Sequence, residues 1–223
     1  IERYKTYPRI VGETGGKDFC LAHESVNLDE LTTAMIRGAF EYQGQKCSAM
    51  SRAYLPSNIW NKLKSKYLSE LKSVKIGPPE DFSNFMNAVI DENAFDRITN
   101  YIDFANKSDD SEIITGGGYD KSTGYFIEPT TIVTSNHSFK SMCEEIFGPV
   151  LTIYVYDQTW EEICQIVDST SPYALTGAIF AEDKNYIDSG MKYLTHSAGN
   201  FYINDKPTGA VVGQQPFGGS RAS

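Results

Sequence analysis

The sequence has few of the residues from which metal sites and disulfide frameworks are built. It contains three histidines, each isolated, and four widely spaced cysteines with no CxxC pair among them. Neither the ligand spacing of a zinc site nor a Ser-His-Asp set can be assembled from this pattern. Scattered cysteines favour a reducing compartment over a disulfide-bonded fold. The sequence therefore predicts no metal site.

Long apolar runs and clusters of positive charge are also missing. No run approaches the roughly 18 apolar residues that a membrane-spanning helix requires. The chain carries 29 acidic and 20 basic residues, and its formal charge of −9 would repel a phosphate backbone. The sequence therefore predicts no membrane span and no nucleic-acid partner.

Short apolar strands alternate with amphipathic helices along a chain of ordinary composition, 40% hydrophobic and 22% charged. Runs rich in β-branched and aromatic residues predict strands at 18–22, 52–56, 113–115, 125–127, 131–133, 150–156 and 176–180. Apolar residues at helical spacing predict helices from about Asn27 to near Gly44, and over 58–74, 92–106, 160–168 and 185–194. This alternation predicts one α/β domain in which a mainly parallel sheet is flanked by helices.

Cys47 is the candidate nucleophile. It follows the helix break at Gln43-Gly44-Gln45, where the chain must turn sharply, so a loop presents its thiol. A thiolate is a strong nucleophile, and its formation depends on nearby positive charge or backbone dipoles. The alternative is a small core residue, which is the commoner role of a lone cysteine, and the adjacent Lys46 does not decide between the two.

Glu13 is the candidate general base. It lies between Gly12 and the Gly15-Gly16 pair, where a tight turn can leave its carboxylate facing a cleft and able to activate water. The alternative is a solvated turn glutamate, because charged side chains mostly lie on surfaces. The acidic pair Glu144-Glu145 also has two interpretations. Its carboxylates can accept hydrogen bonds from sugar hydroxyls, or they can simply be solvated.

Four separated motifs together resemble the aldehyde dehydrogenase superfamily. They are Glu13-Thr-Gly-Gly-Lys17, Gly44-Gln-Lys-Cys47, Glu144-Glu-Ile-Phe-Gly-Pro-Val150 and Pro216-Phe-Gly-Gly219, and their order and spacing match as well. The resemblance implies the fold of that superfamily's catalytic domain. It also implies that Cys47 is the nucleophile and that Glu13 activates water.

Three longer segments, residues 40–48, 199–206 and 208–219, resemble the branch of the superfamily that acts on L-glutamate γ-semialdehyde. This similarity runs through essentially the whole chain. It implies NAD-dependent oxidation of that semialdehyde to L-glutamate, a step of proline catabolism, in the mitochondrial matrix. On this resemblance Cys47 forms a thiohemiacetal and then a thioester, and its backbone N–H contributes to the oxyanion hole.

The resemblance also assigns cofactor residues. Glu145 matches the position that binds the nicotinamide ribose of NAD. Phe147 matches the position that packs near the nicotinamide ring.

The resemblance further assigns residues to a small-molecule substrate. Gly209 and Ala210 match the loop whose backbone N–H groups anchor the amino-acid carboxylate, and Ser48 could add a hydroxyl donor. Phe217 would form a wall against the aliphatic part of the substrate. The alternative is that Gly209-Ala210 is an ordinary loop and that Phe217 fills core space.

The resemblance extends only to a catalytic domain, residues 1–223. It implies that an N-terminal NAD-binding domain and a C-terminal oligomerisation arm are absent, and no G-x-G-x-x-G turn occurs in the sequence. We therefore expect weak or no NAD binding and little activity from this chain alone, and a homo-oligomeric parent protein. Two alternatives stay open: a non-catalytic structural or interaction module, and a hydrolase that forms a thioester on Cys47 without nicotinamide.

Overall fold

A computed structural model describes residues 3–223 and contains a central seven-stranded sheet with helices on both faces. The strands are β1 (Asp18–Ala22), β2 (Met50–Pro56), β3 (Ser111–Thr115), β4 (Tyr119–Asp120), β5 (Phe126–Ile127), β6 (Thr130–Thr134), β7 (Val150–Tyr156), β8 (Tyr173–Ala174), β9 (Thr176–Phe180), β10 (Asn200–Ile203) and β11 (Ser220–Arg221). The helices are α1 (Leu28–Phe40), α2 (Ser57–Leu71), α3 (Glu92–Asn106), α4 (Lys140–Cys143), α5 (Trp160–Ser169) and α6 (Lys184–Tyr193). A short 3₁₀ segment, Glu41–Gly44, follows α1.

The central sheet has the strand order β10-β9-β1-β2-β7-β6-β3. Neighbouring strands are parallel, except that β3 and β6 run antiparallel. The prediction of a mainly parallel sheet flanked by helices is confirmed. The sequence pattern did not predict β10, because this four-residue edge strand is only partly buried and is defined by its pairing with β9.

The two faces of β1 pack against different helices, so two hydrophobic layers enclose the sheet. Phe19 and Leu21 belong to the layer that also contains apolar residues of α3 and α5. Cys20 and Ala22 belong to the layer built by α1 and α2. All five residues of β1 are buried, as expected for a central parallel strand. Within residues 3–223, no helix has both the length and the apolar character needed to cross a bilayer.

Helix α1 begins and ends at identifiable signals. The Asn27 side chain accepts hydrogen bonds from the backbone N–H groups of Asp29 and Glu30, which caps the first turn. The α-helix ends at Phe40, four residues before the predicted end at Gly44. The cause is a run of left-handed backbone, with φ values of 55° at Tyr42, 58° at Gln43 and 63° at Gly44. This run turns the chain toward the loop that carries Cys47.

Candidate active site

Three loops meet at the amino ends of neighbouring parallel strands. Residues 12–17 precede β1, residues 45–49 precede β2, and residues 144–149 precede β7. Because β1, β2 and β7 are consecutive in the sheet, their amino ends lie at one edge. This placement brings the separate motifs of Glu13, Cys47 and Glu145 into one region.

Gly16 is the point at which the three loops touch. Its backbone N–H donates a 2.8 Å hydrogen bond to Glu145 Oε1. A β-carbon on Gly16 would lie 2.1 Å from the carbonyl oxygen of Cys47, closer than van der Waals contact allows. A β-carbon on Gly15 would similarly lie 2.8 Å from Glu145 Oε2. Gly16 is therefore required, because the Cys47 backbone fills the space that a side chain would need, and a side chain at Gly15 would displace the Glu145 carboxylate.

Cys47 lies in a tight turn and its side chain is half-buried. The turn is closed by the Ala49 N–H, which donates to the Lys46 carbonyl at 3.0 Å. The prediction that Cys47 sits in a loop is confirmed.

The surroundings of the thiol disfavour its ionisation. Burial raises the pKa of Cys47, and the carboxylates of Asp18, Glu13 and Glu145 raise it further, while its own backbone N–H lowers it. Lys46 does not offset them, because its ammonium donates to Glu41 Oε2 at 3.1 Å. Cys47 is therefore a protonated thiol at neutral pH, and it needs a base to become a nucleophile.

Glu13 is exposed in the extended segment that leads into β1. Its Oε1 atom lies 3.9 Å from the position that a β-carbon on Gly218 would occupy, so it faces the C-terminal loop that contains Phe217. Its charge contributes to the raised pKa of the Cys47 thiol, which places the two groups within electrostatic reach. The two predicted catalytic residues therefore lie in the same region of the molecule.

Glu145 and Phe147 form a surface suited to a nucleotide. The Glu145 carboxylate is half-buried and is oriented by the Gly16 N–H, so it can accept hydrogen bonds from ribose hydroxyls. Phe147 has a φ of 56°, a conformation that costs a non-glycine residue energy, and 37% of it is exposed. This strained backbone presents a partly exposed aromatic ring two residues after Glu145. The residues therefore fit the ribose and nicotinamide of NAD.

The loop of Gly209 and Ala210 is tied to the thiol loop. The Lys46 ammonium lies 3.4 Å from Thr208 Oγ1, and both Gly209 and Ala210 are partly buried. Ser48 is half-buried in the same turn as Cys47.

Three cationic side chains surround Glu41 and connect the thiol loop to its neighbours. Burial tends to raise the pKa of Glu41, but hydrogen bonds from Lys46 and Arg37 outweigh it, and the pKa falls below its ordinary value. Lys206 adds a further ammonium 3.9 Å from Glu41 Oε2. The ionised Glu41 thereby connects α1, the thiol loop and the segment that follows β10.

Phe217 lies in the C-terminal loop that Glu13 faces, and it is 42% exposed. The Asn200 side chain fixes the residues on either side of Phe217. It donates to the Pro216 carbonyl at 2.8 Å and accepts from the Gly218 N–H at 3.1 Å. Phe217 does not fill the core, so the alternative of a core-filling role for this residue is wrong.

Sequence reasoning missed a group of buried charges beneath the loops. Lys17, Asp18 and Arg52 are at most 2% exposed. The Arg52 guanidinium donates to the Lys17 carbonyl at 2.8 Å and to the Tyr54 hydroxyl at 2.9 Å. Burial lowers the pKa of Lys17 to about 7 and raises the pKa of Asp18 to about 7. The one local signal is position, since Lys17 directly precedes β1 and Asp18 is its first residue.

Known proteins match this chain over nearly its whole length. The model of the aldehyde dehydrogenase family matches residues 2–223. The mitochondrial Δ1-pyrroline-5-carboxylate dehydrogenase of Dictyostelium discoideum is 59% identical over 221 residues, which cover 99% of this chain and 40% of that protein. The human protein of the same name is 48% identical over 225 residues, covering 100% of this chain and 40% of its own length.

Solved structures of a Δ1-pyrroline-5-carboxylate dehydrogenase also match the whole chain. The crystal structure of Δ1-pyrroline-5-carboxylate dehydrogenase from Mycobacterium tuberculosis superimposes with a TM-score of 0.93 at 47% identity, covering 100% of this chain and 41% of that one. A structure of the same enzyme bound with NAD gives a TM-score of 0.91 at 46% identity, covering 100% and 40%. The chain thus spans about 40% of the length of the curated relatives that it matches.

Proposed function

The chain belongs to the aldehyde dehydrogenase family, and from this premise we propose that it is the catalytic portion of an NAD-dependent, mitochondrial enzyme that oxidises L-glutamate γ-semialdehyde to L-glutamate. The observation that carries the proposal is that the loops bearing Cys47, Glu13 and Glu145 meet at Gly16. The relatives named Δ1-pyrroline-5-carboxylate dehydrogenase support the substrate, because that ring compound is the cyclised form of the semialdehyde.

The first step is attack by the Cys47 sulfur on the aldehyde carbon. Because the thiol pKa is raised, the sulfur must lose its proton to a base, and the exposed carboxylate of Glu13 would take it. A carbon–sulfur bond forms, and the carbonyl oxygen becomes an oxyanion that the Cys47 backbone N–H can stabilise. The product of this step is a thiohemiacetal on Cys47.

Oxidation of the thiohemiacetal removes a hydride from the former aldehyde carbon. NAD, when bound, supplies the hydride acceptor. The Glu145 carboxylate would hold the ribose hydroxyls, and the exposed ring of Phe147 would pack beside the nicotinamide. Loss of the hydride leaves a thioester on the Cys47 sulfur.

Hydrolysis of the thioester completes the cycle. Glu13, having released the thiol's proton to solvent, takes a proton from a water molecule, and the hydroxide adds to the acyl carbon. The carbon–sulfur bond then breaks, the carboxylic acid is released, and the sulfur takes back a proton from Glu13. One carboxylate therefore serves both steps, which requires that it stay accessible to water, as Glu13 is.

Substrate recognition falls to the loop of Gly209 and Ala210. Backbone N–H groups at these small residues can approach the substrate's amino-acid carboxylate without obstruction, and the Ser48 hydroxyl can add a donor. Phe217 supplies an apolar wall for the aliphatic part. The hydrogen bond from Lys46 to Thr208 supports this role, since it couples the loop to the turn that carries Cys47.

The decisive experiment has two readouts. In a chain of the relatives' full length, Cys47→Ser should lower NAD-dependent oxidation of L-glutamate γ-semialdehyde at least about 1000-fold. Glu13→Gln should lower it by about 100- to 10,000-fold. An unchanged rate in Cys47→Ser would contradict the mechanism.

Alkylation of the 223-residue chain supplies the second readout. Iodoacetamide should label Cys47 faster than Cys20, Cys143 and Cys164, with a rate that rises with pH. Cys20 and Cys164 are buried and Cys143 is half-buried, so they serve as internal controls. Equally slow labelling of all four would favour the alternative of a non-catalytic module. Ester hydrolysis without NAD that is lost in Cys47→Ala would favour the hydrolase alternative.

A further inference from the structure

A small internal cavity lies behind the thiol loop, and the proposed mechanism does not use it. Its volume is about 10 Å³, and it lies between residues 44–51 and the loop that precedes β7. Gly16, Asp18, Ser51 and Glu145 are among the residues that line it. This volume is at the lower limit for holding one water molecule.

Two residues of this lining have polar atoms in need of a partner. Among residues 3–223, no hydrogen-bonding group reaches Asp18 Oδ2 or Ser51 Oγ, and both atoms are buried. The other oxygen of Asp18 accepts a 2.7 Å hydrogen bond from the Thr176 N–H, which fixes the carboxyl group in place. Buried polar atoms in folded proteins rarely lack a partner, and internal water commonly provides it. Asp18 Oδ2 and Ser51 Oγ are thus two polar partners of the kind that a buried water molecule needs.

Asp18 also faces the thiol loop. Its Oδ2 atom and the Cys47 carbonyl oxygen lie 2.6 Å and 2.1 Å from the same point, the position that a β-carbon on Gly16 would occupy. Among the carboxylates that raise the pKa of Cys47, Asp18 has the largest effect, ahead of Glu13 and Glu145. The carboxyl group is therefore close enough to act on both the position and the ionisation of the thiol.

We propose that Asp18 and Ser51 bind one internal water molecule, and that this hydrated pair positions the Cys47 loop and controls the reactivity of the thiol. Asp18 is then a positioning residue, since it is sealed beneath the site and acts through the loop. The inference rests on the proposed role of Cys47 as the nucleophile. It adds a buried control of that sulfur which is separate from Glu13.

The charge of Asp18 changes near neutral pH. Burial raises its pKa to about 7, against the Thr176 hydrogen bond and the charges of Arg52 and Lys17, which lower it. The charged groups that surround Asp18 and Cys47 are Lys17, Arg52, Glu13 and Glu145. As pH rises through 7, Asp18 becomes negative and makes the neighbouring thiolate harder to form.

Asp18→Asn tests this control, because the amide oxygen still accepts from the Thr176 N–H and the amide NH2 can donate to water, but the side chain cannot carry the charge. The pH profile of Cys47 alkylation by iodoacetamide should move to lower pH, and the rate at pH 8 should rise about 3- to 10-fold. The matched control is Asp103→Asn on α3, a carboxylate bonded to the Tyr119 hydroxyl, which should leave the profile unchanged. An Asp18→Asn profile identical to that of the unsubstituted chain would overturn the proposal.

Two further measurements decide the matter if Asp18→Asn fails to fold. Ser51→Ala removes one partner of the water and so weakens the hydration that favours the Asp18 carboxylate, and the profile should shift in the same direction by a smaller factor. A crystal structure of the unsubstituted chain should show a water within about 3.2 Å of both Asp18 Oδ2 and Ser51 Oγ. A collapsed or dry cavity would overturn the hydration site.

The failure of this inference is distinguishable from failure of the proposed function. If Cys47 is not labelled selectively in the unsubstituted chain, the proposed function fails. If Cys47 is labelled selectively but neither Asp18→Asn nor Ser51→Ala shifts its profile, only the role of the hydrated pair fails.

Discussion

The two ends of the parallel strands are built in opposite ways. At the amino ends, within residues 3–223, four buried side-chain atoms have no hydrogen-bond partner: Lys17 Nζ, Asp18 Oδ2, Ser51 Oγ and Thr176 Oγ1. At the carboxyl ends, polar groups are mostly paired. The Tyr156 hydroxyl donates to the Ala22 carbonyl at 2.6 Å, and the Asn204 amide bonds both the N–H and the C=O of Ala181 at 2.9 Å.

Aromatic packing adds to the order at the carboxyl ends. The His23 ring stacks on Tyr186 with centroids 3.7 Å apart and meets the edge of Trp160 at 5.3 Å. Trp160 Nε1 is the exception there, as a buried donor without a partner in the described chain. The contrast indicates that the carboxyl ends supply stability, whereas the amino ends keep unpaired polar groups where chemistry is proposed, at a cost in stability.

Trp160→Ala should produce the largest loss of stability. It tests whether the carboxyl ends of the strands stabilise the fold. The 6% exposed indole packs against His23 and Tyr186, and its removal leaves a cavity. We expect the free energy of unfolding, measured by urea denaturation, to fall by about 3–5 kcal/mol. The rate of Cys47 alkylation in the folded variant should not change. A loss below about 1 kcal/mol, or a changed alkylation rate, would contradict the assignment of stability to the carboxyl ends and chemistry to the amino ends.

Lys17→Met should do the reverse and stabilise the chain, by about 1–4 kcal/mol at pH 7, because it replaces a buried, unpartnered ammonium with an apolar side chain. Burial, with Arg52 nearby, lowers the pKa of Lys17 from 10.5 to about 7 in the folded state. Between these values the unfolded chain binds more protons, so the unsubstituted protein gains stability as pH rises through that window. The advantage of Lys17→Met should therefore be greatest at or below pH 7 and shrink toward pH 10.

The control for this substitution is Lys107→Met, which removes an exposed lysine beyond the end of α3. Its free energy of unfolding should stay within about 0.5 kcal/mol of the unsubstituted chain at every pH. A Lys17→Met variant that is destabilised at pH 7 would show that the ammonium group contributes to the fold.

Tyr42→Gly should have the smallest effect, a stabilisation below about 1 kcal/mol. Tyr42 is 67% exposed and has a φ of 55°, so glycine relieves the left-handed strain while losing few contacts. The greater freedom of glycine in the unfolded chain offsets part of this gain. Thermal unfolding can measure the difference, with Glu30→Gly inside α1 as a control that should lose about 1 kcal/mol. Destabilisation by Tyr42→Gly would mean that the exposed ring has a packing role.

Much of the fold follows from local pattern. The strands at Asp18–Ala22 and Thr176–Phe180 and the helix at Glu92–Asn106 were predicted with the observed bounds, because apolar runs and helical spacing are local properties. The position of β1 between β9 and β2 was not predictable in this way, since it depends on contacts between residues more than 150 positions apart.

The candidate site was also predicted only in part. The individual motifs of Glu13, Cys47 and Glu145 were visible, but their convergence required the neighbouring placement of β1, β2 and β7. The burial of Lys17, Asp18 and Arg52 was not predicted, because charged residues usually indicate a solvated face. Only the packing of loops over the strand ends shows that these charges are enclosed.

The contacts of Gly16 make this residue a spectroscopic reporter of the whole region. Its amide proton is bonded to Glu145, while its α-carbon adjoins the Cys47 carbonyl. In an isotope-labelled sample, a single backbone resonance should therefore respond both to nucleotide binding at the carboxylate and to covalent modification of the sulfur. Occupancy of the two halves of the site could then be followed in one titration.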